Sequence, residues 1–193
     1  MSAAEKMQKK ENSSGMENSG NRQKNGVYMG SFNPVHYGHI ETMRQALGFF
    51  EVLHVFVKYV EGVDLTDWET KRLWFERINA EEMDGRLRIY QEIPQIRDKR
   101  YGMDLFADFF HRAEEEIGEP IQGIVLGSDY DELVPKLRET FPQITFIVIR
   151  RGLSNGDYPT SSAIREDMEQ YRRWLPDYVY QSLREVHARK EQN

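Results

Sequence analysis

From Asn25 onward the chain alternates short apolar runs with amphipathic stretches of helix length, a pattern that a parallel α/β sheet satisfies and few other folds do. The runs predict strands at Val27 to Met29, Val52 to Val57, Leu87 to Gln91, Ile121 to Leu126 and Ile144 to Ile149. The second and fifth are almost continuously hydrophobic, as strands covered on both faces are. Helices are predicted between them at Gly38 to Phe50, Asp67 to Met83, Tyr101 to Ile117 and Asp129 to Thr140. Thr66 with Glu69 three residues on fits a capping box for the second of these, and Pro135 either delays the fourth or kinks it. The expected fold is a Rossmann-like, doubly wound parallel five-stranded sheet in a single domain, residues 26–193, behind a disordered N-terminal tail, residues 1–25. Such sheets bind ligands beyond the carboxyl ends of their strands, where the strand order reverses. The first run ends at Gly30 and the fourth at Leu126-Gly127-Ser128-Asp129, so these two ends are expected to be neighbours.

The first end carries the densest chemistry: Gly30-Ser31-Phe32-Asn33-Pro34-Val35-His36-Tyr37-Gly38-His39, passing from a strand into a helix. The first N–H groups of a helix have no intrahelical partner and carry the positive end of its dipole, and glycines let the chain approach an anion closely. His36 and His39 bracket Gly38, so both imidazoles can face one bound phosphate. Alternatives are a two-residue metal clip or a helix start with incidental histidines. At the fourth strand's end, Asp129 either caps its helix or holds a ribose hydroxyl.

A second cluster, Thr160-Ser161-Ser162-Ala163-Ile164-Arg165, follows the last strand and an irregular polar loop. Hydroxyls at a helix start with an arginine one turn in make a second phosphate-binding helix terminus; an ordinary Ser cap with a surface arginine is the other reading.

The two clusters together resemble the nucleotidylyltransferase superfamily, whose members move a nucleoside monophosphate from a nucleoside triphosphate onto an acceptor phosphate. His36-Tyr37-Gly38-His39 matches its His-x-Gly-His signature, and residues 160–165 resemble its Ser-Ser-Thr-x-Ile-Arg element with two hydroxyl types exchanged. The resemblance implies that His36, His39 and Arg165 are catalytic. It further implies that Gly30, Ser31, Phe32, Gly38, Gly127, Asp129, Thr160, Ser161 and Ser162 bind ATP. Class I aminoacyl-tRNA synthetases share the first signature but add a Lys-Met-Ser-Lys-Ser-like loop, which this chain lacks, as it lacks a P-loop.

The opening Gly-Ser-Phe-Asn-Pro is similar to pyridine-nucleotide adenylyltransferases. Tyr101 to Asp104, with Arg172-Arg173-Trp174-Leu175-Pro176, resembles the adenylyltransferase domain of bacterial bifunctional enzymes of NAD synthesis and salvage, although Met103 stands where that domain has a tryptophan. The implied reaction is attack by a nicotinamide or nicotinate mononucleotide phosphate on the α-phosphorus of ATP, with pyrophosphate leaving and protonated histidines neutralising the developing charge. Mg²⁺ is expected to travel on the ATP phosphates, with no protein metal cage. Lys58, Trp68, Arg72, Arg97 and Tyr101 are candidate contacts to the phosphorylated small-molecule acceptor. Cytidylyltransfer or phosphopantetheine adenylyltransfer uses the same motifs, and a non-catalytic nucleotide-binding regulator is the alternative of another class.

Composition narrows the partners. A net charge of −6 argues against general nucleic-acid binding, and residues 1–25 carry a net +2, which leaves about −8 for the remainder. An anion site must therefore be made positive by particular residues. No run of about 18 apolar residues offers a membrane span, and the tail lacks the apolar core of a signal peptide. The expectation is a cytoplasmic protein with no nucleic-acid or membrane partner, for which a homo-oligomer is compatible with the sequence. Zero cysteines exclude disulfides and thiolate ligands.

Overall fold

The computed structural model of the protein describes residues 22–92, 103–150 and 158–191. Five parallel strands, β1 (Gln23–Gly30), β2 (Phe50–Lys58), β3 (Leu87–Glu92), β4 (Gly123–Gly127) and β5 (Thr145–Ile149), form one sheet in the order β3-β2-β1-β4-β5. The order reverses between β1 and β4, which pair through Val27 with Ile124 and Tyr28 with Val125. The carboxyl ends of β1 and β4 thus lie side by side, as the chain pattern requires. The helices are α1 (Tyr37–Ala46), α2 (Trp68–Glu82), α3 (Met103–Ile117), α4 (Val134–Thr140), α5 (Ser161–Glu166) and α6 (Asp177–Glu191).

Alternate strand residues feed two cores, because successive side chains point to opposite faces of a sheet. Tyr28, Leu53, Val55, Val57 and Val125 pack with α1, α2 and α6, through Met43, Phe75, Ile78, Val179 and Leu183. Val27, Phe56, Ile124 and Leu126 pack with α3 and α4, through Phe106, Phe109, Phe110 and Leu137. Phe50 is fully buried where β1 and β4 come together, in space left by Gly26 and Gly123: a Cβ at either would lie 2.5 or 2.6 Å from its ring.

Several boundaries differ from the sequence reading for local reasons. The first strand begins at Gln23 rather than Val27, so residues 23–25 of the expected tail belong to the sheet; Gln23 pairs with Phe50 and Asn25 with Val52. Buried Asn25 bonds Pro120 O (3.0 Å), and its Oδ1 accepts Gln122 N–H (3.0 Å). Ile121 N–H goes to Glu114 Oε1 (3.0 Å), so side chains occupy the amides of residues 121 and 122, and β4 starts only at Gly123. Helix α1 ends at Ala46, followed by turn hydrogen bonds from Gly48 and Phe49 that release Phe50 into β2. The cap of α2 is Asp67, whose carboxylate accepts Thr70 N–H (2.7 Å), instead of the expected Thr66. Segment 128–140 is a 3-10 turn, Ser128–Tyr130, before α4, which starts late because Pro135 fits only its first turn. Helix α6, which the sequence reading did not assign, buries Val179 and Leu183.

Candidate active site

The loop from Gly30 to His36 is held from beneath by its own aromatic. Phe32 sits at φ 45°, a left-handed conformation that costs a residue with a side chain energy, and its ring is 2% exposed in edge contacts with Tyr28, His39 and Phe75 at 5.0 to 5.3 Å. Packing holds the strained backbone in place. A residue whose side chain is so enclosed can meet a ligand only through its backbone.

His36 and His39 form a reciprocal cap at the start of α1. Gly38 N–H donates to His36 Nδ1 (3.1 Å), and His36 N–H donates to His39 Nδ1 (3.3 Å). With Nδ1 of each ring accepting an amide N–H, Nε2–H is the donor that each imidazole has to offer. The rings lie 3.9 Å apart, both buried. Gly38 makes room for the cap, since a Cβ there would lie 2.9 Å from both His36 Cε1 and Tyr158 Cγ.

The second motif is bonded onto this same loop. Arg165 donates to Asn33 O (2.6 Å) and to Ser162 Oγ (2.8 Å), and Ser161 Oγ donates to Pro34 O (3.0 Å). Thr160 caps α5 by accepting Ala163 N–H (3.1 Å). Helix α5 has only 6 residues, so its dipole is slight and the expected second helix-terminus site reduces to the arginine and the hydroxyls. Both partners of Arg165 are uncharged, leaving its full positive charge for an anion.

The remaining candidates divide. Gly127 ends β4 beside β1, and Asp129 is exposed in the 3-10 turn that follows; the N-cap of that turn is Gly127, so Asp129 does not cap it. Lys58 ends β2 opposite Glu92 of β3. Burial raises the Glu92 carboxyl, against the pull of Lys58 and Arg112. Trp68 opens α2, half-buried against the core. Arg72 lies on the outer face of α2, held by Glu69 (Nε to Oε2, 3.0 Å) and Glu76, so its charge is taken up there. Arg97 and Tyr101 fall outside the described residues.

Residues the sequence reading passed over complete the loop. Lys71 is fully buried, and its Nζ donates to Asp64 Oδ1 (2.6 Å), Ser31 O (2.8 Å) and Lys58 O (3.2 Å). Burial lowers the Lys71 pKa, Asp64 opposes that, and the nearby charge of Arg165 adds to it. Asn33 Oδ1 accepts Leu65 N–H (3.1 Å). The legible signal for Lys71 was its place on the apolar stripe Lys71, Trp74, Phe75, Ile78 of α2. Among the described residues no group of three or more His, Cys, Asp or Glu is placed to hold a metal ion, and no helix is long and apolar enough to cross a membrane.

Comparison with known proteins follows the same lines. Two solved structures of Plasmodium falciparum nicotinic acid mononucleotide adenylyltransferase share the fold. The one complexed with NaAD gives a TM-score of 0.57 at 16% identity, covering 82% of this chain and 94% of that one. The one complexed with APC gives 0.61 at 16% identity, covering 86% and 96%. No curated protein matches the chain in sequence. The model of the cytidylyltransferase-like family matches residues 27–167, from inside β1 to just past α5, a span that takes in both motifs. With that match over most of its length, the chain belongs to the cytidylyltransferase-like family and is a nucleotidyltransferase.

Proposed function

We propose that the protein transfers AMP from MgATP to the phosphate of a pyridine mononucleotide, nicotinate or nicotinamide, and releases pyrophosphate, a step of NAD synthesis. The observation that carries this reading is the bonding of both motifs to one loop: His36 and His39 cap α1 at its end, and Arg165 and Ser161 grip its carbonyls at Asn33 and Pro34. In such a transfer an acceptor oxygen forms a bond to the α-phosphorus as the bond to the bridging pyrophosphate oxygen breaks. Protein groups position the reactants and neutralise charge, and no covalent intermediate is needed. The Nε2–H groups of His36 and His39 donate to phosphate oxygens near the reacting phosphorus, joined by the N–H groups of Gly30, Ser31 and Phe32. Arg165 takes the leaving pyrophosphate. Ser162 aims the guanidinium, while Thr160 and Ser161 fix α5 to the loop. Gly127 and Asp129, across the β1–β4 junction, face the nucleoside, and the acceptor lies toward Lys58 and Trp68. Mg²⁺ enters with the triphosphate.

The pyridine acceptor is supported by the Gly30 to Pro34 sequence and by the names of the two structural neighbours. The family's description supports a second reading, in which CTP replaces ATP and a phosphorylated alcohol replaces the pyridine mononucleotide. The test is pyrophosphate release by purified protein with ATP, Mg²⁺ and either nicotinate mononucleotide, nicotinamide mononucleotide or phosphopantetheine. CTP with phosphorylated alcohols runs in parallel, with His36→Ala as control. Release that requires one pyridine mononucleotide supports the reading; release only with CTP replaces it by the second, and release only with phosphopantetheine removes the pyridine acceptor.

A further inference from the structure

We infer that Lys71 is a positioning residue, which, with Asp64 as its counter-ion, holds the Gly30–His36 loop in the shape that receives a triphosphate; the word triphosphate rests on the function proposed above. An ammonium has three N–H donors, and in Lys71 they meet Asp64 Oδ1, Ser31 O and Lys58 O. None is left to touch substrate. The Ser31 carbonyl belongs to the loop, and Lys58 ends the adjacent strand, so one side chain ties the carboxyl ends of β1 and β2 together. Asp64 is itself fixed by Val60 N–H at 2.5 Å, and its neighbour Leu65 bonds Asn33 of the same loop.

Lys71 is one of three donors, from two helices, that capture carbonyls of this loop: Lys71 of α2 takes Ser31, and Arg165 and Ser161 of α5 take Asn33 and Pro34. In a trans peptide the C=O and the next N–H point to opposite sides of the plane. A carbonyl drawn toward Lys71 therefore turns the Phe32 N–H the other way and fixes its direction. Stability alone does not account for a lysine here. A buried ion pair can be replaced by well-packed apolar residues of similar volume with little or no loss of stability, and residue 71 lies on a stripe that already presents Trp74, Phe75 and Ile78.

The test separates holding the loop from holding the fold. Lys71→Met alone strands a buried carboxylate, since the Asp64 side chain is 6% exposed, so the informative protein is the double variant Asp64→Asn, Lys71→Met. It is expected to keep the wild-type melting temperature while amide hydrogen exchange in residues 31–36 quickens about tenfold or more and exchange in β4 and β5 stays unchanged. Pyrophosphate release per ATP-binding site, counted by titration calorimetry, is expected to fall by about 10 to 100-fold, with the KM for ATP within about threefold, because misplaced groups lose transition-state contacts first. Unchanged exchange in the loop, or exchange that rises throughout with a lower melting temperature, overturns the inference. So does unchanged turnover per site beside altered exchange. A wild-type protein that releases no pyrophosphate with any acceptor defeats the proposed function, and the exchange contrast still decides whether Lys71 holds the loop.

Discussion

The starts of α1 and α5 carry related chemistry on unlike foundations. At α1 the cap is a pair of buried imidazoles, the loop before it is pinned by Phe32 and Lys71, and neither side chain reaches bulk solvent to any extent. At α5 the cap is an exposed threonine on a 6-residue helix, and the charge comes from the long, exposed side chain of Arg165. The first motif is buried and tied down by its own cap; the second is exposed and cationic. In the transfer proposed above, buried and capped donors suit the phosphorus where bonds change, because misplacement there is costly, whereas a solvent-facing guanidinium suits a leaving group that must depart. The first terminus should therefore tolerate no change of shape, and the second should respond mainly to change of charge.

The largest expected effect is at His36. His36→Ala should lower turnover by about 10² to 10³-fold, the range for deleting one preorganised donor to a developing charge, and should also remove the α1 cap, for about 1 kcal/mol of stability. His36→Asn separates the two roles, since asparagine caps helices well but has no imidazole. Its melting temperature should match wild type while turnover stays at the alanine level. An active asparagine variant would show that His36 matters as a cap alone.

Next comes Gly38→Ala, a single methyl placed 2.9 Å from His36 Cε1 and Tyr158 Cγ. Overpacking of this kind costs about 1 to 3 kcal/mol, and the displaced imidazole should lower turnover by about 10²-fold. If turnover is unaffected, the close packing around Gly38 is not part of the chemistry.

How much of this was legible follows from range. The sheet was readable because each strand announces itself in a local apolar run, and both motifs because their chemistry lies in consecutive residues. The hydrogen bonds from Arg165 to Asn33 and from Lys71 to Ser31 span 132 and 40 residues, and no local pattern encodes them. Lys71 left a trace as a charge on an apolar stripe, which reads from sequence as an ordinary snorkelling lysine. The histidine tautomers depend on amide directions that only the turn determines. Arg72 shows the converse, a residue that composition makes attractive beside two tryptophans and that the structure spends on Glu69 and Glu76.

That contrast gives the third prediction. Arg165→Lys keeps a positive charge but loses the fork that reaches Asn33 O and Ser162 Oγ together, so kcat/KM should fall about tenfold with little change in melting temperature. Arg72→Ala should leave kcat/KM within about twofold, since exposed pairs along a helix contribute little. Equal losses in the two variants, measured side by side, would erase the distinction between a guanidinium bonded to neutral oxygens and one paired with carboxylates.

A third helix start supplies the control, with the smallest expected effect. Helix α2 begins with its own anion: Asp67 caps it, and Glu69 lies in its first turn, where α1 and α5 have no acidic residue. A terminus already occupied by carboxylates has no room electrically for a phosphate. Asp67→Ala should accordingly leave turnover unchanged while removing about 1 kcal/mol of stability near pH 7. Hydrogen bonds from Thr70 hold the Asp67 carboxyl below its usual value. Its contribution is therefore complete above the unfolded pKa of about 3.9 and is lost as pH falls through the lower folded value. Denaturant curves of the two proteins should lie apart at pH 7 and draw together in that acidic window. A gap that stays constant into acid would mean that the alanine costs stability through packing and not through the charged cap.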